Sequence, residues 1–235
     1  MFLEKYHLQT EAGIQVSRQQ ASDFAKEIAD DFNPIHDVDA KRFCVPGDLL
    51  FALALNSYGL SQRMQFTFSE MVADGVPLQL PQTSAEKIAI CDRQGKEYLH
   101  IEREGKTSLD RPLIFNFIRG YVAFSGHNFP HILIPLMADH GVMINPDRPL
   151  IMYQGMTIDL DTLDCSSPTL ELSKASLDID RKRGNVVLAF NLLESGQVIG
   201  RGEKQIILSG LRPYDQERVD LLVAEYNARK QAHAA

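Results

Sequence analysis

The sequence predicts an α+β fold in which one small unit is built twice. Two observations carry this. Apolar helical stretches occur at residues 49–60 and again at 129–140, each closed by a glycine (Gly59, Gly141) and each followed by runs with strand periodicity. Equivalent elements lie on the order of 80–90 residues apart, which is too long for a solenoid repeat and suits a duplicated small domain. The 235 residues are enough for one large core or two small ones. The expected division is 1–110 for the first unit, 111–212 for the second and 213–235 for a closing helix.

Residues 2–8 alternate loosely and predict an opening strand. Ser17 is placed to cap a helix, because its hydroxyl can accept from the first free helical N–H groups. Ala21, Phe24, Ala25 and Ile28 then recur at helical spacing. That helix is expected to run to the turn at Asn33-Pro34, since the residue before a proline is pushed out of the helical region. Pro46-Gly47 opens the next helix. Leu49, Leu50, Phe51, Leu53, Ala54 and Leu55 make it apolar nearly all round, which predicts burial.

From Arg63 the period changes to two: Met64, Phe66 and Phe68 alternate with polar neighbours. Residues 77–80, 87–91 and 96–102 read as further strands, the last two joined by the turn Asp92-Arg93-Gln94-Gly95. Residues 113–124 read as a strand, either the last of the first unit or the first of the second. Strands are expected at 150–158, 169–178, 185–193 and 197–208, with the turn 180–184 matching 92–95. Val219, Leu222, Val223 and Tyr226 form a helical stripe in the tail, whose last residues, 229–235, are expected to fray.

The net charge of −7 argues against nucleic acid or an anionic membrane as the main partner. It leaves room for an anionic carrier such as coenzyme A, which needs only a local basic patch. Cys44, Cys91 and Cys165 have no metal-ligand spacing and imply no disulfide framework, as expected in a reducing cytoplasm. The acidic start and the short apolar runs predict neither a signal peptide nor a membrane span. No nucleophile elbow, dinucleotide fingerprint or P-loop is present.

The stretch that carries chemistry is Asp30-Asp31-Phe32-Asn33-Pro34-Ile35-His36-Asp37, followed by Pro46-Gly47-Asp48-Leu49-Leu50. It is a polar, turn-forced segment between two hydrophobic elements, the kind of rigid loop on which sites are built. With Val16-Ser17, Phe24-Ala25 and Ala40, it resembles the hydratase signature of MaoC-like proteins over residues 16–55, under a fifth of the chain. The family usually has glycine where Asp30 stands and often histidine where Pro46 stands.

The resemblance implies a double hot-dog fold, in which each unit wraps an antiparallel sheet around a central helix. It further implies hydration of an enoyl thioester, or dehydration of a 3-hydroxyacyl thioester, within fatty-acid metabolism. The carrier would be coenzyme A or acyl carrier protein, with no other cofactor and no metal. Asp31 and His36 would hold and deprotonate a water between them. Asn33 would orient the loop or touch substrate, and the Gly47 N–H, at a helix N-terminus, would meet the thioester oxygen. Thioester hydrolysis on the same fold and a non-catalytic acyl-thioester binding protein are the alternatives. Asp48 is expected to serve the helix dipole, His127 to have a structural job, and Arg181, Lys182 and Arg183 to form a solvated turn. The expected molecule is cytoplasmic, and monomeric or homodimeric.

Overall fold

The computed structural model describes residues 2–146 and 148–234. The chain opens with a 3-10 turn (Phe2–Tyr6) rather than a strand. Leu3 and Tyr6 are both buried, and a spacing of three suits a tight helix better than alternation. A small hairpin, β1 (Leu8–Thr10) and β2 (Gly13–Gln15), follows. Helix α1 (Arg18–Glu27) begins as expected at Ser17, whose hydroxyl accepts from the Gln20 N–H while the Gln20 side chain accepts from the Ser17 N–H.

The end of α1 comes before the proline turn, not at it. Asp30 takes φ 53° and the Asp31 N–H returns to the Ala25 carbonyl at 2.9 Å. That closure spans seven residues, one more than the Schellman pattern, with aspartate in the left-handed position that glycine usually fills. The chain then makes a short 3-10 turn (Pro34–His36) and enters α2 (Gly47–Tyr58).

Helix α2 is buried almost all round, as its composition requires. Phe51 lies between Phe66 of the sheet (5.1 Å between ring centroids) and Tyr121 of the next helix (4.6 Å). Strands β3 (Leu60–Phe68), β4 (Lys87–Cys91) and β5 (Glu97–Ser108) follow. The predicted strand at 77–80 is reduced to isolated bridges, Leu78 to Ile14 and Gln79 to Cys91.

Residues 113–124 are not a strand. They form most of α3 (Arg111–Gly126), capped by Asp110, whose carboxylate accepts from the Leu113 N–H at 3.0 Å. Leu113, Ile114, Phe117, Ile118, Tyr121 and Val122 fill one face and enter the core with α2. The second apolar stretch begins as a π-helical turn (Phe129–Leu133) and continues as α4 (Ile134–Asp139), so the long central helix of the second unit is α3 and its bent continuation. Then come β6 (Val142–Met143), β7 (Ile151–Leu160), β8 (Thr169–Asp180), β9 (Arg183–Glu194), β10 (Gln197–Ser209), β11 (Arg212–Pro213) and α5 (Gln216–Ala234).

Seven strands make one antiparallel sheet in the order β4-β5-β3-β7-β10-β9-β8. The joint in the middle pairs β3 with β7, from Arg63 opposite Asp159 to Thr67 opposite Gly155. Each is the first long strand after its helix, and on either side comes the last strand of the same unit, β5 or β10. The order is therefore pseudo-symmetric, and the fold is a double hot-dog. By this correspondence the turn at 92–95, between β4 and β5, matches the turn between β9 and β10. The expected partner turn at 180–184 joins β8 to β9 instead.

Two cores result. One gathers α2, α3 and the inner faces of β3–β5. The other gathers Phe129, Leu133, Met137, Leu188, Ile206 and Leu208, and takes in Phe32 from the first unit and Tyr226 from α5. The tail does not fray over its described part. α5 is helical through Ala234, and Ala235 lies outside the described residues.

Candidate active site

The loop between α1 and α2 is held from several directions. Phe32 is buried against Tyr226, edge to face at 6.2 Å. The Tyr226 hydroxyl donates to the Asp30 carbonyl at 2.9 Å, Lys230 pairs with the Asp30 carboxylate, and Arg229 pairs with Asp37. Lys26 reaches Asp37 from α1 at 3.3 Å. Asp30 therefore faces α5 and His127 (3.3 Å), not the cleft. On the far side Gly126 lies so close to Ala29 that a Cβ there would stand 1.6 Å from the Ala29 carbonyl oxygen.

Held this way, the loop brings Asp31 and His36 into direct contact, Oδ2 to Nε2, at 3.2 Å. The other Asp31 oxygen accepts from the Asn33 N–H at 2.9 Å, and the Asn33 side chain accepts from the Ile35 N–H at 3.2 Å. A carboxylate only accepts, so the tautomer that this contact favours has its proton on Nε2 and its lone pair on Nδ1. That Nδ1 is buried with no protein partner among the described residues.

Asp31, Asn33, His36 and Gly47 line one cavity of about 110 Å³. Its apolar wall includes Phe129, Leu133, Ile151 and Ile206. Ligand pockets for drug-sized molecules run to roughly 300–1,000 Å³, so this space suits a few waters or a short acyl head, not a long chain. Gly47 is constrained by more than ligand approach: a Cβ there would stand 2.5 Å from the Tyr153 ring. Cys44 also lines the space, and burial pushes its thiol pKa up, which keeps it protonated.

Opposite the loop lies a polar cluster that sequence reading did not assemble. Lys204 of β10 donates to the Ser125 hydroxyl, which in turn donates to Asp48. Lys204 stands 3.7 Å from Asp48 Oδ1 and 4.2 Å from the centre of the Tyr153 ring, a cation–π contact. Burial lowers the Lys204 pKa, with the Asp48 and Asp31 charges opposing that shift. Tyr153 and Tyr121 share a hydrogen bond, and burial, reinforced by Asp48, raises both phenols well above their ordinary value. Asp48 is thus the anion of a buried ion pair rather than only a dipole partner. Asn128 lies beside this cluster, buried, with neither amide atom bonded to protein among the described residues. His127 is the C-cap of α3, and Arg181, Lys182 and Arg183 are exposed on their turn.

Among the described residues no group of three His, Cys, Asp or Glu side chains is placed to hold a metal ion, and no helix is long and apolar enough to cross a membrane.

A family described as "Protein of unknown function (DUF3581)" matches residues 1–217, and the chain belongs to it. The curated proteins contain no match. Among solved structures, an acyl-CoA thioesterase II, TesB2, from Mycobacterium marinum is similar at 6% identity and a TM-score of 0.46, over 92% of this chain and 100% of that one. A conserved protein of unknown function with hot dog fold from Alicyclobacillus acidocaldarius gives 10% identity and 0.45, over 91% and 99%. An acyl-ACP thioesterase from Bacteroides thetaiotaomicron VPI-5482 gives 10% identity and 0.33, over 69% and 90%.

Proposed function

We propose that this protein adds water to a short acyl thioester carried on coenzyme A or acyl carrier protein, with His36 as general base and Asp31 as the residue that orients it. The observation that carries the reading is the 3.2 Å contact of Asp31 with His36, which leaves His36 Nδ1, without a protein partner among the described residues, beside a partly open, largely apolar cavity. A positioned base of this kind contributes roughly 10²–10⁴-fold.

Hydrolysis is the reaction that asks least beyond these groups. Nδ1 takes one proton from water as its oxygen bonds to the carbonyl carbon, and the C=O electron pair moves onto the carbonyl oxygen. Collapse of that oxyanion breaks the C–S bond, and the thiolate takes the proton from His36. A thiol ionises near pH 8.5, so its leaving needs no strong acid. Asn33 holds the loop through its bond to Ile35, and the Gly47 N–H at the start of α2 supplies a donor for the oxyanion.

Hydration of an enoyl thioester is the second reading. It is favoured by the spacing Asp31-x-Asn33-Pro34-x-His36, which resembles the MaoC-like hydratase signature. It requires, in addition, a proton delivered to the alpha carbon.

Butyryl- and crotonyl-coenzyme A separate the two. Free thiol released from butyryl-coenzyme A, and lost in Asp31→Asn and His36→Ala, supports hydrolysis. Loss of crotonyl absorbance without free thiol supports hydration. Neither signal, from either substrate, sinks both.

A further inference from the structure

We propose that Asn128, supplied by the second unit, is a catalytic residue that binds the thioester carbonyl oxygen through its amide N–H and the attacking water through its amide oxygen. This deepens the reading above and rests on it. The first observation is that Asn128 is 3% exposed, yet neither its Nδ2 nor its Oδ1 meets a protein partner among the described residues. A buried amide left unpaired is destabilising at each unmet group, so its place in the fold is explained by something that binds there. Whichever way the amide is turned, one donor and one acceptor are open, and a thioester carbonyl with its attacking water offers one acceptor and one donor.

The second observation is where the residue stands. It lines the same cavity as Asp31, His36 and Gly47. It also follows the C-cap of α3 and opens the π-helical turn Phe129–Leu133, an irregularity that occurs frequently at functional sites. Asn128 is fixed in that position by its surroundings. Ser125, one turn earlier, is tied to Asp48 of α2 and Lys204 of β10, and Gly126 is pressed against Ala29 at the end of α1. The base from the first unit and the amide from the second therefore face one space.

Ser125 is not itself a nucleophile in this arrangement. Its hydroxyl already accepts from Lys204 and donates to Asp48, which makes it a brace.

The test compares wild type with Asn128→Leu and Asn128→Asp in three measurements. In turnover of butyryl-coenzyme A, loss of one oxyanion donor is expected to lower kcat about 10²–10³-fold, with KM raised by about tenfold at most. In binding, two unreactive probes are used: the ketone in which carbon replaces the butyryl-coenzyme A sulfur, and S-butyl-coenzyme A, which has no carbonyl. Asn128→Leu should weaken the ketone about tenfold and leave the thioether unchanged. In thermal melting, Asn128→Leu should match or exceed wild type, because an orphaned amide is replaced by an apolar group of similar size.

A lowered melting temperature with equal loss of both probes would make Asn128 a structural residue and overturn the proposal. So would undiminished kcat in both variants. Wild type that neither turns over the thioester nor binds either probe removes the acyl-thioester reading itself, and this inference with it.

Discussion

Asp30 passes through φ 53°, a region that glycine enters freely and most other residues enter at a cost of roughly 1–2 kcal/mol. Aspartate tolerates it better than most, and here its carboxylate gains Lys230 and His127 as partly exposed partners, worth about 0–1 kcal/mol. The two effects nearly cancel. Asp30→Gly should therefore shift unfolding stability by less than about 1 kcal/mol in a urea titration, whereas Asp30→Val should cost roughly 2 kcal/mol or more. Lys204 is the opposite case. Lys204→Met leaves the Asp48 carboxylate buried without its cation and is expected to cost about 3–5 kcal/mol. The double variant with Asp48→Asn should recover part of that loss, and a cycle of the four proteins measures the coupling. The loop residues Asp31, Asn33 and His36 were legible in the sequence because their bonds span two to five positions. Ser125 and Lys204 were not. Their bonds reach across 77 and 79 residues, and nothing local marks a lysine or serine as one that a fold will bury.

Among the longer elements, α3 was the one misread, and its signals were present. Asp110 is a good N-cap, Pro112 suits the first turn, and the pairs 113/114, 117/118 and 121/122 recur every four residues. β-branched and aromatic content favoured a strand, and tertiary burial against α2 decided otherwise. The seven strands of the large sheet were found because alternation is a local property. The contact of α3 with the end of α1 has a sharp test. Gly126→Ala puts a methyl group against backbone at Ala29, which cannot rotate away, so a loss of about 1–3 kcal/mol is expected. The same displacement moves Asn128 relative to His36, so turnover should fall further than stability does. For α5, Arg229→Ala with Lys230→Ala should leave the melting temperature nearly unchanged, since both cations are partly exposed. Hydrogen exchange at residues 30–37 should nonetheless quicken, and protection equal to wild type would count against α5 as a brace for that loop.

At the scale of the whole molecule, the buried phenols govern behaviour in alkali. Burial raises Tyr58 and Tyr226 to about 12 and lifts Tyr121 and Tyr153 well above their ordinary value. A folded pKa above the unfolded value of about 10 means that the stability is present below pH 10 and is lost as pH rises through the folded values. Lys204 has the opposite sign: its folded pKa lies below its unfolded one, so its contribution rises with pH between the two. The tyrosines outnumber it, and melting temperature should fall steeply from pH 10 to 12. Tyr58→Phe should flatten that fall. It should also gain about 1 kcal/mol at neutral pH, because the Tyr58 hydroxyl is buried without a partner among the described residues. A variant with the wild-type alkaline slope would contradict this account.

The clasp between Tyr226 and Asp30 spans 196 residues of chain. Protein synthesis adds about 5–20 residues per second, so roughly 10–40 seconds separate the making of the loop from the making of the residue that fastens it. During that interval α1 can form on its own caps while Phe32, whose packing partners Phe129 and Tyr226 come much later, has no core to enter. A ribosome-bound chain therefore carries the loop residues without their final geometry, which is complete only once the late helix has emerged and docked.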